Sequence, residues 1–274
     1  MINKRGMLMK HTSFFNTLMA NDKFNRVELL VGTDAMQRLA STRVILFGVG
    51  GVGSWAAESL VRSGIGHITL VDFDRVETSN INRQLPATTA TVGCVKADVM
   101  ADRLRQINPD CDIVAIRQFY TEATANEFNL EEYDYVLDAI DSLRDKALLI
   151  INATQCKRPK LFSSMGAALK MDATAIDVAE FWKVQGCPLA AALRRKFKSS
   201  KIFPAKKFKC VYSPELYQNR GEQPTESDTE NNSLSIDNLD NVKVRKAQIN
   251  GTMAHTTAIF GFMLAGLVVN DICQ

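Results

Sequence analysis

A glycine-rich segment, Gly48-Val49-Gly50-Gly51-Val52-Gly53, constrains the fold of this chain more than any other feature. It follows an apolar stretch at residues 43–47 and precedes apolar residues at helical spacing, which predicts a strand, a tight turn and a helix. Glycines at such a turn let backbone amides approach a phosphate, and the start of a helix favours negative charge. The segment therefore predicts a nucleotide-binding loop.

A second predicted strand, residues 67–72, completes a strand–helix–strand unit and ends at Asp72. From this position, nineteen residues after Gly53, a carboxylate can accept hydrogen bonds from ribose hydroxyls. The pattern continues with predicted helices at 95–107 and 145–156 and predicted strands at 112–117, 133–140, 161–164 and 172–181. This alternation predicts a doubly wound, mostly parallel α/β sheet with a Rossmann-like motif and a C-terminal extension.

The chain has 274 residues, enough for one large α/β domain. We expect a flexible N-terminal segment at 1–23 and a nucleotide-binding domain at 24–192. Residues 193–274 are expected to complete the same domain with a basic segment, a mobile loop at 219–241 and a C-terminal helix. The apolar stretch 252–269 is long enough for a membrane span, but His255 and its threonines and glycines favour a buried helix. We expect no membrane association.

The spacing of the cysteines argues against a zinc or redox site. No two of the six are closer than seventeen residues, so the CxxC pairs of structural zinc sites and redox motifs are absent. We expect no zinc and a reducing compartment, the cytoplasm. The net charge of +3 is too small to indicate a polyanionic partner by itself.

The glycine loop alone fits a nicotinamide dehydrogenase as well as an enzyme of phosphate transfer. Charged residues after Asp72 favour phosphate transfer. Arg83 and Lys96 place two cations near a bound triphosphate, where phosphoryl charge needs stabilisation. Asp138 and Asp141 lie at the C-terminal end of the predicted strand 133–140, where ligands bind in this architecture, and a carboxylate there can hold Mg²⁺. Each residue alone is more often a surface charge, but together they predict an ATP site.

The motifs GxGGVGS, DFDxVExSNxNRQ, the lysine of VGxxK and DAIDS make the chain similar to the ubiquitin-activating-like (ThiF/MoeB/HesA) adenylyltransferases. Members of this family transfer AMP from ATP to a carboxylate, and the likeness covers about residues 24–192. It implies ATP and Mg²⁺, with Arg83, Lys96 and Asp141 as catalytic residues and Asp141 as the Mg²⁺ ligand. The nucleotide contacts that the resemblance implies are Gly48, Gly50, Gly51, Gly53, Asp72, Asp74, Asn80, Arg83, Gln84, Lys96, Asp138, Asp141 and Ser142.

The resemblance also implies a homodimer. In dimeric members an arginine of an FxR element before the first strand reaches into the partner's ATP site, and Phe24-Asn25-Arg26 matches that position. Arg26 is therefore a candidate ATP contact in trans, and the alternative is an ordinary exposed arginine.

Family members that activate ubiquitin-like sulfur carriers usually carry two CxxC pairs, which this chain lacks. Its sequence after Pro188 instead resembles the branch that dehydrates N6-threonylcarbamoyladenosine beside the anticodon of tRNA. That likeness implies adenylation of the threonyl carboxylate, ring closure, release of AMP and pyrophosphate, and a sulfur-relay protein as one further partner. The alternative is activation of the C-terminal glycine of a sulfur carrier, and a non-catalytic nucleotide-binding scaffold or a nicotinamide oxidoreductase fits the residues less well.

Residues 193–209 hold eight lysines and arginines and no acid. With tRNA as the implied substrate, we predict phosphate contacts from Arg194, Arg195, Lys196 and Lys198, and base contacts from Phe197, Phe203 and Phe208. Cys187 and Cys210 are possible acyl acceptors, but no neighbour in sequence lowers a thiol pKa, so we expect packed cysteines. His255 is likewise expected to be packed.

Overall fold

The computed structural model describes residues 22–222 and 250–274. The expected flexible segment at 1–23 and mobile loop at 219–241 lie almost entirely outside these ranges, so both remain predictions. The helices are α1 Asn25–Val31, α2 Thr33–Ser41, α3 Gly53–Arg62, α4 Lys96–Ile107, α5 Leu143–Gln155, α6 Pro188–Ser200 and α7 Ala254–Cys273. The strands are β1 Arg43–Phe47, β2 His67–Val71, β3 Asp112–Ile116, β4 Tyr135–Asp138, β5 Lys160–Ser164, β6 Asp177–Glu180 and β7 Lys209–Tyr212.

The strands form one sheet in the order β3-β2-β1-β4-β5-β7-β6. All neighbouring pairs are parallel except β6 and β7, which are antiparallel. The order reverses between β1 and β4, and in such sheets a ligand crevice opens at the C-terminal ends of the strands on either side of the reversal. The predicted doubly wound, mostly parallel sheet is confirmed.

The end of the sheet differs from the prediction. The single strand predicted over 172–181 is a 3₁₀ turn at Ala173–Ala175 followed by the short edge strand β6. Between β5 and β6 lies β7, which was not predicted because only four residues form it and a lysine begins it. Tertiary pairing with β5 and β6, rather than a run of apolar residues, defines this strand.

The side chains of the central strand β1 alternate between the two faces of the sheet, and helices cover both faces. Val44 and Leu46 of β1 pack into the layer formed with α3, α4 and α7. Ile45 and Phe47 pack into the opposite layer, formed with α5 and α6. A parallel strand with both faces buried reads as a continuous apolar run, which is what residues 44–47 show.

Helix α7 is long and apolar enough to cross a membrane by length and composition, and half of its most apolar stretch is buried inside the protein. Phe260, Leu264 and Val268 are fully buried in the layer shared with α3, which agrees with the buried helix predicted here. The expectation of a packed His255 is wrong: this residue is exposed in the first turn of α7, with its Nε2 atom 2.9 Å from the Met171 carbonyl oxygen.

The contact between α3 and α7 depends on Gly261. A Cβ atom at this position would lie 2.5 Å from the Val52 carbonyl oxygen and 2.7 Å from the Trp55 Cβ. A Cβ at Gly266, in the same helix, would meet nothing within 4 Å. A side chain at position 261 would therefore collide with the start of α3, whereas position 266 has room for one.

We predict that Gly261→Ala lowers the free energy of unfolding by about 1–3 kcal/mol, because α7 must move away from the start of α3. Gly266→Ala is the matched control and should raise stability by about 0.5–1 kcal/mol through helix propensity. Urea unfolding followed by circular dichroism measures both. Equal effects of the two substitutions would show that the helices do not need this close approach.

Candidate nucleotide site

A cavity of about 560 Å³ opens at the C-terminal ends of β1, β2 and β4, where the strand order reverses. Most of the predicted nucleotide contacts line it. They are Gly48, Gly50, Gly51, Asp72, Asp74, Arg83, Gln84, Lys96, Asp141 and Ser142. The topology therefore brings together residues that are almost a hundred positions apart in the sequence.

The glycine loop is packed so tightly that two of its positions exclude any side chain. Gly48 has a φ of +89°, and a Cβ there would lie 2.7 Å from the Ala139 carbonyl oxygen. A Cβ at Gly53 would lie 1.8 Å from the Gly48 carbonyl oxygen. Gly53 begins α3 beneath the loop rather than lining the cavity, whereas Gly50 and Gly51 face it. Gly53 thus has a packing role in the loop, and its contact with nucleotide stays a prediction.

Asp72 links the end of β2 to the glycine loop. Its Oδ2 atom accepts a 2.6 Å hydrogen bond from the Val49 amide, and its Oδ1 atom accepts one of 2.8 Å from the Asp74 amide. Burial raises the pKa of this carboxyl above its ordinary value, and the Val49 hydrogen bond opposes the shift. The carboxylate is held in place before any nucleotide arrives.

Two cations reach the cavity from separate segments. Lys96 begins α4, is almost completely buried, and its Nζ lies 3.0 Å from Asp74 Oδ2. Arg83 donates from Nη1 to the Ser79 carbonyl oxygen at 2.9 Å and to Asn82 Oδ1 at 2.8 Å. These bonds hold both side chains at the cavity wall, where positive charge can meet phosphate.

Gln84 supplies an unsatisfied polar group at the site. The side chain is 8% exposed and lines the cavity beside Gly50. Its Oε1 atom is buried and has no hydrogen-bond partner in the part of the chain that the structure describes. Leaving a buried acceptor unpaired costs roughly 1–3 kcal/mol, so a ligand that donates a hydrogen bond here would gain affinity.

Asp141 and Ser142 lie on the opposite wall, in the turn after β4. Ser142 is the N-cap of α5, and Asp141 is exposed to the cavity. A carboxylate there suits Mg²⁺, which in phosphate-transfer sites commonly takes one or two carboxylates together with the substrate phosphates. Within residues 22–222 and 250–274, no three histidine, cysteine, aspartate or glutamate side chains are grouped to hold a metal by themselves.

Two predicted contacts, Asn80 and Asp138, do not line this cavity, and their contact with ATP stays a prediction. Asn80 is buried, and its Oδ1 accepts a 3.2 Å hydrogen bond from the Glu77 amide at the start of a 3₁₀ turn. Asp138 is completely buried, and its carboxylate pairs with a buried lysine of α5. Both residues support the walls of the cavity.

That lysine, Lys146, was not recognised from the sequence. Its Nζ lies 2.8 Å from Asp138 Oδ2 and donates to the Ile140 carbonyl oxygen at 2.9 Å, with both charged side chains fully buried. Ser163 Oγ donates to the same carboxylate at 2.6 Å, and the Ile140 amide donates at 3.1 Å. The pair fixes the turn that carries Asp141. A lysine on the otherwise apolar face of α5 was the signal available in the sequence.

Arg26 is exposed on α1 and does not line the cavity of its own chain. Helix α1 has no buried residue, and its Leu29 and Leu30 are 87% and 85% exposed. An exposed pair of leucines beside Arg26 marks an apolar surface on this helix.

The predicted tRNA-binding residues lie on α6. Arg195, Lys196 and Lys198 are exposed. Arg194 differs, because its Nη1 donates to the carbonyl oxygens of Phe181 at 3.1 Å and Val184 at 2.8 Å. Its guanidinium therefore holds the segment before α6, which weakens its assignment to RNA.

The prediction of three base-stacking phenylalanines is wrong for two of them. Phe197 and Phe208 are 2% and 5% exposed, and both pack against the buried Phe181. Only Phe203, with half of its surface exposed, can meet a ligand.

Cys187 and Cys210 are packed, as expected. Cys187 and Cys210 are buried, neither lines the cavity, and all six cysteines are free thiols. Burial raises the pKa of the Cys210 thiol well above its ordinary value, which suppresses the reactive thiolate.

A doubly wound sheet with a glycine loop, a fixed carboxylate and two cations around one cavity defines a nucleotide-binding α/β protein. Residues 24–274 match the family model described as the ThiF family, so the chain belongs to this family.

The chain is also similar to individual members. It is 38% identical over 253 residues to the tRNA threonylcarbamoyladenosine dehydratase of Bacillus subtilis (strain 168), covering 92% of this chain and 95% of that protein. It is 35% identical over 261 residues to the Haemophilus influenzae protein of the same name, covering 92% and 94%. The crystal structure of the E. coli tRNA N6-threonylcarbamoyladenosine dehydratase in complex with ATP superposes with a TM-score of 0.77 at 36% identity, covering 92% and 94%.

We predict that Lys146→Met lowers the free energy of unfolding by about 3–5 kcal/mol, because it leaves the Asp138 carboxylate buried and unpaired. Asp138→Asn in the same chain should recover part of the loss. Arg144→Met, an exposed cation on the same helix, is the control and should change stability by less than about 0.5 kcal/mol. Urea unfolding measures all three. A Lys146→Met loss as small as that of the control would contradict the assigned role.

Proposed function

We propose that this chain uses ATP to adenylate the carboxylate of N6-threonylcarbamoyladenosine in tRNA, beside the anticodon, and to close it into a ring. The observation that carries the proposal is the cavity at the strand reversal, lined by Asp72, Arg83, Lys96 and Asp141, in a chain similar to such dehydratases over 92% of its length.

In this proposal the glycine loop binds the phosphates through its amides, and Asp72 accepts hydrogen bonds from the ribose. Lys96 and Arg83 stand where negative charge develops on the α-phosphate and on the leaving pyrophosphate. Lys96 is buried against Asp74, so little solvent screens its charge. The unpaired Gln84 Oε1 accepts a hydrogen bond from the bound nucleotide.

The reaction has two steps. An oxygen of the threonyl carboxylate attacks the α-phosphorus of ATP, and the bond to pyrophosphate breaks. A nucleophile within the same modified side chain then attacks the activated carbonyl carbon, loses its proton and closes the ring, and AMP leaves with the carboxylate oxygen. Water is thereby removed from the nucleoside without an enzyme thiol, which agrees with the burial of Cys187 and Cys210.

We propose Asp141 as the residue that holds Mg²⁺ together with the phosphates. The exposed carboxylate in the cavity wall provides the oxygen donor that Mg²⁺ prefers. When bound, the ion neutralises phosphate charge. Asp138 and Lys146 orient the turn beneath and do not themselves meet the ion.

We further propose a cytoplasmic homodimer in which Arg26 enters the partner's cavity. The absence of Arg26 from the cavity of its own chain and the exposed Leu29 and Leu30 beside it support this arrangement. A sulfur-relay partner protein rests on family likeness alone. We retain three tRNA contacts on α6, the exposed Arg195, Lys196 and Lys198. This helix reaches the ATP cavity, because Leu189 in its first turn lines that cavity.

The test is ATP-dependent pyrophosphate release in three parallel reactions. They contain tRNA with threonylcarbamoyladenosine, tRNA without the modification, or a ubiquitin-like sulfur carrier. We expect release only with the modified tRNA. Release with the carrier alone would favour the alternative function, activation of a C-terminal glycine.

We predict that Arg83→Ala and Asp141→Ala each reduce pyrophosphate release with modified tRNA by at least about 100-fold, because charge on the phosphates loses its stabilisation. Arg62→Ala, a partly exposed arginine paired with Glu58 on α3, is the control and should retain activity. Near-normal rates in either site variant would show that the assigned roles are wrong.

We predict that Cys187→Ala and Cys210→Ala retain the wild-type rate of pyrophosphate release and ring formation, since neither thiol meets the cavity. Mass spectrometry of the tRNA nucleosides measures ring formation. Loss of the cyclic product with continued pyrophosphate release would instead indicate a thioester intermediate.

A further inference from the structure

A second cavity, of about 640 Å³, lies at the opposite edge of the sheet, where β5 and β7 begin. Its lining holds six cationic side chains and only two acidic ones, Glu180 and Asp271. The cations are Lys157, Arg158, Lys160, Lys206, Lys207 and Lys209. Such an excess of positive charge in a concave surface attracts anions.

Three of these cations are already used within the protein. Lys160 pairs with Asp271 at 2.6 Å, and Arg158 pairs with Asp134 at 2.8 Å. Lys206 donates to the Lys157 carbonyl oxygen at 2.9 Å. The side chains of Lys157, Lys207 and Lys209 form no direct ion pair or hydrogen bond with any residue in the described ranges, although Glu131 lies near Lys157 and Asp271 lies near Lys209. Their ammonium groups can therefore donate hydrogen bonds to a ligand.

An exposed aromatic pair adjoins this cavity. Trp182 is 40% exposed and Phe203 is 50% exposed, with ring centroids 6.2 Å apart. Trp182 follows Glu180 of the cavity lining by two residues. On the other side, the Ala205 amide, two residues after Phe203, donates at 3.1 Å to the hydroxyl of Thr154, which also lines the cavity.

The pair and the cavity belong to the most basic part of the sequence. Residues 181–209 hold nine lysines and arginines and no aspartate or glutamate. Lys201, between α6 and Phe203, adopts a left-handed conformation with φ of +56°. For a lysine this conformation costs roughly 1–2 kcal/mol, and here it turns the chain from the helix towards the exposed ring.

Helix α6 joins this surface to the ATP cavity. Leu189 in its first turn lines the ATP cavity, and the helix ends at Ser200, one residue before Lys201. Thirteen helical residues span about 20 Å, and the exposed cations Arg195, Lys196 and Lys198 lie in the half of α6 that is nearer the second cavity. A nucleic acid whose modified nucleoside occupies the ATP cavity is long enough to reach them.

We propose that Lys157, Lys207 and Lys209, together with Trp182 and Phe203, form an RNA-binding surface at the amino-terminal edge of the sheet. The lysines bind phosphodiester groups of the tRNA at a distance from the modified nucleoside, and the aromatic pair stacks on an unpaired base. The combination of lysines with two exposed rings favours RNA over an acidic protein, because each base offers a ring face for stacking. This inference rests on the proposed function.

The test measures tRNA affinity at several salt concentrations for Lys207→Glu/Lys209→Glu, Trp182→Ala and Trp182→Phe. We expect the double charge reversal to weaken tRNA binding at least about tenfold and to lower the salt slope by about 1.4–1.8, from two lost phosphate contacts. Trp182→Ala should weaken it by about 5-fold to 150-fold, the loss of one stacked base, and Trp182→Phe should recover most of it.

Arg62→Glu is the control for a single charge reversal, half the charge change of the double variant; it lies in the other helical layer and should leave affinity and salt slope unchanged. With modified tRNA, the loss should fall on KM more than on kcat, and ATP affinity should stay at the wild-type value. Wild-type tRNA affinity in both the charge-reversed and the Trp182→Ala proteins overturns the proposal. Binding of an acidic polypeptide to this surface that tRNA does not displace also overturns it. Failure of the proposed function is distinct, because it would appear as absent pyrophosphate release in the wild type.

Discussion

The packing of the glycine loop against the end of β4 is the constraint on which the site depends. Gly48 approaches the Ala139 backbone so closely that no side chain fits, and Gly53 approaches the Gly48 carbonyl more closely still. The loop is therefore held between two strands, and Asp72 on one side accepts a hydrogen bond from it through Val49. The amides of the glycine loop, the Asp72 carboxylate and the turn with Asp141 therefore have fixed relative positions before a ligand binds.

A buried ion pair supports this arrangement from below. Asp138 and Lys146 place two full charges in the core, where the cost of desolvation is high unless both are paired and hydrogen-bonded. Ser163 and the Ile140 backbone satisfy the remaining groups. The pair contributes orientation more than stability, because it anchors the turn that presents Asp141 to the cavity.

The fold and much of the site were predictable because strong local patterns specify them. The apolar run of β1, the glycine loop and the position of Asp72 predicted a strand, a turn and a nucleotide-facing carboxylate. For Asp138 and Asn80 the sequence gives the distance from a strand end but not the direction of the side chain, and neither residue lines the cavity. Lys146, β7 and the burial of Phe197 depend on contacts between distant segments, which no local pattern reveals.

Adenylation of the nucleoside carboxylate is tested most directly by an isotope experiment. Threonylcarbamoyladenosine in tRNA is labelled with ¹⁸O in both carboxylate oxygens and turned over with ATP, and the AMP is examined by mass spectrometry. Adenylation predicts one ¹⁸O atom in AMP and the other in the cyclic product. AMP without label, formed together with the cyclic product, would contradict the account.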